Sequence, residues 1–109
     1  MIFNITEQKI NELAQQIVNN FNPEKIILFG SRAWGKSNQD SDVDFFIIKE
    51  TKEPRIERER QIQRLFLGTC LPIDVIIYTP QEVENRKNLG DFFIKKILEK
   101  GKVLYSIND

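Results

Sequence analysis

The sequence predicts an α/β (α+β) domain in which a small mixed β-sheet is flanked by helices. Two observations support this: short apolar runs rich in β-branched or aromatic residues, and intervening segments whose apolar residues recur at helical spacing. The chain has 109 residues, enough for one hydrophobic core but not for two. We therefore expect a single domain over residues 1–109.

The helices are predicted from apolar periodicity and from capping residues. From Thr6, a good N-cap, apolar residues follow the i, i+3, i+4 spacing of an amphipathic helix as far as Phe21. Residues 54–67 are interpreted as a crossover helix, and shorter helices are expected over residues 81–86 and 91–100. The arginines of the crossover helix are interpreted as a solvated face: Arg55, Arg58, Arg60 and Arg64.

Strands are expected where the short apolar runs lie, at residues 25–29, 44–48 and 73–78, with a last short strand at residues 103–105. A tight turn joins the first two strands, so they should pair antiparallel. The crossover helix makes the second and third strands parallel. The end of the first strand should therefore lie beside the starts of the second and third.

Composition limits the chemistry that the chain can perform. The 16 Lys and Arg residues balance the 16 Asp and Glu residues, so no direct nucleic-acid binding and no attraction to anionic membranes are expected. There are no histidines, and carboxylates must therefore supply any acid, base or metal ligand. The single cysteine, Cys70, is interpreted as a buried small residue in a reducing compartment. The sequence shows no signal peptide and no run of about 20 apolar residues, so we expect a cytoplasmic protein.

The most informative segment places a glycine turn next to paired acids. Residues 30–35 (GSRAWG) follow the first strand, and Asp42 and Asp44 open the second strand with both side chains on one face. Asp74 opens the third strand and can reach the same pocket if the register allows. Carboxylates this close repel one another unless cations compensate. The pattern thus indicates metal-assisted chemistry on a nucleotide.

Residues 30–37 (GSRAWGKS) also satisfy the P-loop pattern G-x-x-x-x-G-K-[ST]. In a P-loop the lysine and serine open a long helix whose N-terminus faces the phosphates. Here residues 38–42 form a polar stretch that leads directly into another strand. We therefore disfavour a P-loop.

Gly30-Ser31, ten intervening residues and Asp42-Val43-Asp44 closely resemble the signature of the DNA polymerase beta nucleotidyltransferase superfamily. The short chain resembles the minimal nucleotidyltransferase (MNT) proteins, which are often antitoxins paired with a helical HEPN toxin. The resemblance covers about residues 6–80 and includes the order of elements. It implies the nucleotidyltransferase fold.

The resemblance also implies a role for each matching position. The nucleotide-binding residues would be Gly30, Ser31, Arg32 and Ser41, with Lys36 as a further phosphate contact. The catalytic and metal-binding residues would be Asp42, Asp44 and Asp74. These carboxylates would hold two Mg²⁺ ions, or Mn²⁺ in their place. The nucleotide would be ATP or another nucleoside triphosphate.

The implied reaction is transfer of AMP from ATP to a hydroxyl of a partner protein, with a cognate HEPN toxin as the acceptor and this chain as its antitoxin. One alternative is an antitoxin that neutralises its partner by binding alone. Nucleotidyl transfer to a small molecule is disfavoured, because such enzymes carry an additional substrate-holding domain. The apolar residues within 92–98 exceed one helical stripe, which fits contact with a partner protein or with a second copy in a homo-oligomer.

Overall fold

The structure, a computed structural model, describes residues 5–35 and 41–108. Along these residues the helices are α1 (Glu7–Phe21), α2 (Ser31–Trp34), α3 (Arg55–Leu65), α4 (Pro80–Asn88) and α5 (Phe92–Lys100). The strands are β1 (Lys25–Phe29), β2 (Val43–Ile48), β3 (Ile73–Tyr78) and β4 (Lys102–Ser106). A short 3₁₀ turn at Leu67–Thr69 follows α3. In the described ranges no helix combines the length and the apolar character needed to cross a membrane.

The four strands form one mixed sheet in the order β3-β2-β1-β4. β1 pairs antiparallel with β2 and with β4, whereas β2 and β3 are parallel. These pairings confirm the predicted directions, and they bring the end of β1 beside the starts of β2 and β3. We call this end of the sheet the acidic end, because Asp44 and Asp74 lie there.

The sheet is covered by helices on both faces. Alternate strand residues such as Phe45 and Val75 join the buried side chains of α1 and α3 in one cluster. Phe46 faces the opposite way and packs with residues of α4 and α5, among them Val83 and Ile94. Because Asp44 has the same strand parity as Phe46, its side chain lies on the face that α4 and α5 cover.

Most element boundaries agree with the sequence prediction. The Thr6 hydroxyl accepts a hydrogen bond from the Lys9 amide at 3.1 Å, which confirms it as the N-cap of α1. α3 ends at Leu65, earlier than expected, and the 3₁₀ turn takes over. α4 is longer than expected, because Thr79 and Glu82 form a capping box that starts the helix at Pro80.

Two predictions about individual side chains are wrong. Cys70 is exposed rather than buried, because it has the left-handed φ of 56° with which the chain turns from the 3₁₀ segment toward β3. Arg58 is buried rather than solvated. Its guanidinium pairs with the Glu82 carboxylate at 2.6 Å and donates to the carbonyl of Glu53 at 2.7 Å.

The outer edge of β3 is contacted by side chains of α3. The carbonyls of Pro72 and Tyr78 accept hydrogen bonds from the β2 segment, so the odd-numbered carbonyls between them point away from β2. Gln63 donates to the carbonyl of Ile73 at 3.1 Å, and Arg58 donates to that of Ile77 at 3.3 Å. α3 therefore bonds the exposed edge of the sheet at both ends of β3.

Candidate active site

The glycine turn after β1 is shaped by its proximity to Asp44. Gly30 has a φ of +79°, and its carbonyl accepts hydrogen bonds from the amides of Ala33 and Trp34 at 3.0 and 3.1 Å, which closes the turn into α2. A Cβ atom at position 30 would overlap the Asp44 carboxylate. Glycine is therefore required here both by the backbone conformation and by the close approach of the acid.

Asp44 is the centre of the acidic end. It lies opposite Phe29 across β1 and β2, and beside Asp74 across β2 and β3. Burial raises the pKa of Asp44 to about 6, assisted by the charges of Asp74 and Asp42 and by a side-chain hydrogen bond with Asp74. Burial and the neighbouring carboxylates both act against the ionised form of Asp44.

The three predicted acids are brought together to different degrees. Asp44 and Asp74 are neighbours in register and share a hydrogen bond, while Asp42 lies just before β2, exposed, and near enough to raise the pKa of Asp44. Across residues 5–35 and 41–108, no three acidic or cysteine side chains are clustered closely enough to hold a metal ion as they stand. The structure thus brings Asp44 and Asp74 together and leaves Asp42 apart from them.

These residues fit a divalent cation. Carboxylate oxygens are the ligands that Mg²⁺ and Mn²⁺ prefer, and a cation would relieve the repulsion that raises the pKa of Asp44. The missing side chain of Gly30 makes room for the Asp44 carboxylate itself. Asp44 and Asp74 offer oxygen ligands of this kind, and the metal-binding role of Asp42, Asp44 and Asp74 stays a prediction.

Arg32 and Ser41, both predicted to bind nucleotide, contact each other. The Arg32 guanidinium donates to the carbonyls of Ser41 at 2.9 Å and Ile5 at 3.1 Å. These bonds fix Ser41, and with it the start of the Asp42 segment, against α2. Phosphate contact by Arg32 and Ser41 stays a prediction, and Lys36 lies outside the described residues.

The four residues between the two glycines of the P-loop pattern form a helix here. They are α2, Ser31–Trp34, and Gly35 is its C-cap. In a P-loop these positions form the loop that cradles the phosphates instead. Trp34 has a packing role, with its ring centroid 6.4 Å from that of Phe29 and the Lys96 ammonium 4.8 Å above the ring.

A cavity of about 670 Å³ opens beside Asp44 and Asp74. Its sheet wall includes Phe29, Val75 and Ile76, and its helix wall consists of Ile56, Glu59, Arg60 and Gln63 of α3. Sequence reasoning did not select these α3 residues, because a helix rich in arginine and glutamate is typical of a solvated surface. The signal that could have found them is their i, i+3, i+4, i+7 spacing, which places all four on one stripe.

A small α/β domain in which a glycine turn lies beside carboxylates on neighbouring strands is typical of proteins that act on nucleotide phosphates. A family model described as "Polymerase beta, Nucleotidyltransferase" matches residues 8–109, and the chain belongs to this family. The family confirms the resemblance drawn from Gly30-Ser31 and Asp42-Val43-Asp44. A comparison with curated proteins finds no match.

Solved structures show the same fold. A protein from Sulfolobus solfataricus, assigned as a nucleotidyltransferase, superposes with a TM-score of 0.62 at 19% identity, over 91% of this chain and 78% of that one. A toxin–antitoxin structure with AMP-PNP gives 0.61 at 17% identity, over 88% and 73%. A mutant of the toxin–antitoxin MntA-HpeT, in which two aspartates two positions apart are glutamates, gives 0.57 at 18% identity, over 93% and 73%.

Proposed function

We propose that this nucleotidyltransferase-family chain transfers AMP from ATP to a hydroxyl of a HEPN-type toxin, in a Mg²⁺-dependent reaction, and so acts as its antitoxin. The observation that carries the proposal is the pairing of Asp44 with Asp74 directly beside the Gly30 turn. This arrangement offers oxygen ligands for cations next to a backbone turn that can approach a triphosphate closely.

The reaction requires an acceptor oxygen to attack the α-phosphorus of ATP. The bond from this phosphorus to the bridging oxygen breaks, and pyrophosphate leaves with the electron pair. Gly30 and Ser31 would bind the β- and γ-phosphates, and the Asp74 carboxylate would take the proton of the attacking hydroxyl. Mg²⁺ held by Asp42, Asp44 and Asp74 would neutralise charge on the phosphates and on the attacking oxygen.

Two observations support a protein partner. Two of the structurally similar proteins are toxin–antitoxin assemblies, and one of them contains AMP-PNP. In this chain, Leu89 and Phe92 expose 77% and 87% of their surface, and Phe93 beside them exposes 46%. Such a group of exposed large apolar side chains is suited to burial against another protein.

The test is incubation of the purified chain with α-labelled ATP, Mg²⁺ and the toxin encoded by the neighbouring gene, followed by mass spectrometry of the toxin. We expect an added AMP on one hydroxyl-bearing residue, and none with Asp42→Asn or Asp44→Asn. A toxin that stays unmodified, yet is inhibited equally by the wild type and by both variants, would instead establish neutralisation by binding alone.

A further inference from the structure

Three groups of the site lie in a row across the acidic end of the sheet. Gly30 follows β1, Asp44 lies on the central strand β2, and Asp74 lies on the edge strand β3. Neighbouring strands are about 4.8 Å apart. The row therefore runs from the glycine turn toward the cavity that begins at Asp74 and is walled by α3.

In-line displacement fixes the order of the reacting groups along such a row. The attacking oxygen and the leaving pyrophosphate must lie on opposite sides of the α-phosphorus. If the β- and γ-phosphates are held at the Gly30 turn, the attacking hydroxyl has to arrive from the side of β3. On this side, residues of α3 line the cavity together with Asp74.

We infer that the cavity between α3 and the start of β3 is the acceptor site, and that Arg60 positions there a hydroxyl-bearing segment of a protein. This inference rests on the proposed function and adds the place, the positioning residue and the chemical class of the acceptor. The cavity volume of about 670 Å³ is sufficient for a large side chain and its adjoining backbone.

The walls of the cavity define what it can accept. The apolar surface comes from Phe29, Ile56, Val75 and Ile76. Among its described lining residues other than the proposed metal ligands, the charged side chains are Glu59 and Arg60, whose charges cancel. These residues present no basic surface for a polyanion such as an RNA 3′ end, and the apolar wall favours a polypeptide segment whose hydroxyl is carried on an apolar side chain.

Arg60 is suited to hold the backbone of such a segment. Its guanidinium pairs with Glu57 at 3.3 Å, but the Arg60 side chain is 54% exposed. An exposed ion pair of this kind is weak, so the guanidinium can exchange it for a bound carbonyl at little cost. Arg60 would thus orient the acceptor without touching the reacting atoms.

The experiment compares Arg60→Ala with Arg64→Ala. Arg64 is exposed on the same helix and does not line the cavity. For each protein, ATP affinity is measured through the fluorescence of Trp34, the single tryptophan, and transfer is measured as a function of toxin concentration. We expect Arg60→Ala to raise the KM for the toxin about tenfold, with kcat and ATP affinity unchanged. Arg60→Lys should restore part of the loss, and Arg64→Ala should behave as the wild type.

Several outcomes would overturn the inference. Equal effects of Arg60→Ala and Arg64→Ala would show no acceptor site at α3, and weaker ATP binding by Arg60→Ala would assign the cavity to the nucleotide. Transfer of AMP to a 15-nucleotide RNA with a free 3′ hydroxyl, in preference to the toxin, would refute the acceptor class. Wild-type protein that binds Mg·ATP but modifies no protein would refute the proposed function itself, and the inference with it.

Discussion

The two ends of the β2–β3 pair differ in how their charges are satisfied. At the acidic end, Asp44 and Asp74 are neighbours in register, and burial together with like charges raises the pKa of Asp44 to about 6. At the other end, Arg58 and Glu82 form an ion pair at 2.6 Å within a set of hydrogen bonds. The same two strands therefore carry an unfavourable charge arrangement at one end and a favourable one at the other.

The favourable end is built around the start of α4. The Glu82 carboxylate accepts hydrogen bonds from Arg58 and from the Thr79 amide at 2.8 Å. Burial acts to raise the pKa of Glu82, but these hydrogen bonds and the Arg58 charge outweigh it and lower that pKa. Folding thus favours the charged form of Glu82 and disfavours that of Asp44. One end of the strand pair therefore stabilises the fold. At the other end, repulsion between carboxylates opposes ionisation of Asp44, and a bound cation would relieve that repulsion.

The largest expected effect is that of Asp44→Asn on activity. Loss of this proposed metal ligand should lower kcat/KM for transfer by about 10³. The same change removes a repelled negative charge, so the metal-free protein at pH 7.5 should melt at a higher temperature than the wild type. Activity assays and thermal melts in EDTA check both parts, with Glu99→Gln as a matched exposed control. A lower melting temperature for Asp44→Asn would show that the charge of Asp44 does not destabilise the metal-free fold.

Arg58→Ala should destabilise the protein, because it leaves the Glu82 carboxylate without its cation. We expect about 2–3 kcal/mol, which is less than for a fully buried pair. The Glu82 side chain is 34% exposed, and water can replace part of what it loses. Urea unfolding gives the free energy of unfolding directly. Arg64→Ala, a surface change on the same helix, should stay within about 0.5 kcal/mol. Equal free energies of unfolding for the two variants would show that the Arg58–Glu82 pair does not stabilise the fold.

The metal-free protein should lose stability as the pH rises through 6. The folded-state pKa of Asp44, about 6, lies above its ordinary value of 3.8. The protonated carboxyl therefore stabilises the fold fully below the unfolded pKa, and this contribution is lost as the pH passes the folded pKa. Between pH 5 and pH 7.5 the shift is worth at most about 1.4 kcal/mol, and we expect about 0.7 kcal/mol after allowing for solvent screening. Urea midpoints at pH 5 and pH 7.5 in EDTA, compared between wild type and Asp44→Asn, isolate the contribution of Asp44.

Thr79→Ala tests the capping box at the favourable end. The Thr79 hydroxyl accepts a hydrogen bond from the Glu82 amide at 3.1 Å, and its loss should cost about 1 kcal/mol. Transfer activity should be unchanged, because Thr79 lies at the end of β3 remote from Asp74. A loss of activity at full stability would show that the two ends are coupled.

The smallest expected effect is that of Lys36→Ala. The nucleotidyltransferase assignment depends on Ser31 and the acids, whereas a P-loop would depend on this lysine. ATP affinity should change by less than about threefold. Titration of Trp34 fluorescence with Mg·ATP measures it. A loss as complete as that of Asp44→Asn would mean that the turn is wrongly assigned.

Local patterns predicted the fold because its strands and α1 are determined by nearby residues. The bounds of β1 and β3 agree with the apolar runs at residues 25–29 and 73–78, since each run has a turn residue or proline at its boundary. The spacing between Ser31 and Asp42 predicted the family, which the family model over residues 8–109 confirms. The pairing of Asp44 with Asp74 followed from the direction of two strands joined by a helix.

Long-range partners explain what the sequence did not reveal. Arg58 was expected to be solvated, because its partner Glu82 lies 24 residues further along and no local pattern links them. Cys70 lies among apolar residues, yet the turn into β3 directs it outward. The place of Arg60 beside the cavity depends on how α3 packs against the sheet, which a helical pattern does not determine.

The side-chain bonds along the outer edge of β3 have a consequence for self-association. Ile73–Tyr78 is a six-residue strand rich in β-branched residues, the kind of segment that stacks into intermolecular sheets when its edge is open. Gln63 and Arg58 bond the carbonyls of Ile73 and Ile77, so these two carbonyls are less available to the strand of a neighbouring molecule. α3 thereby hinders extension of the sheet at its β3 edge, and changes made in this helix to alter substrate choice will also act on aggregation.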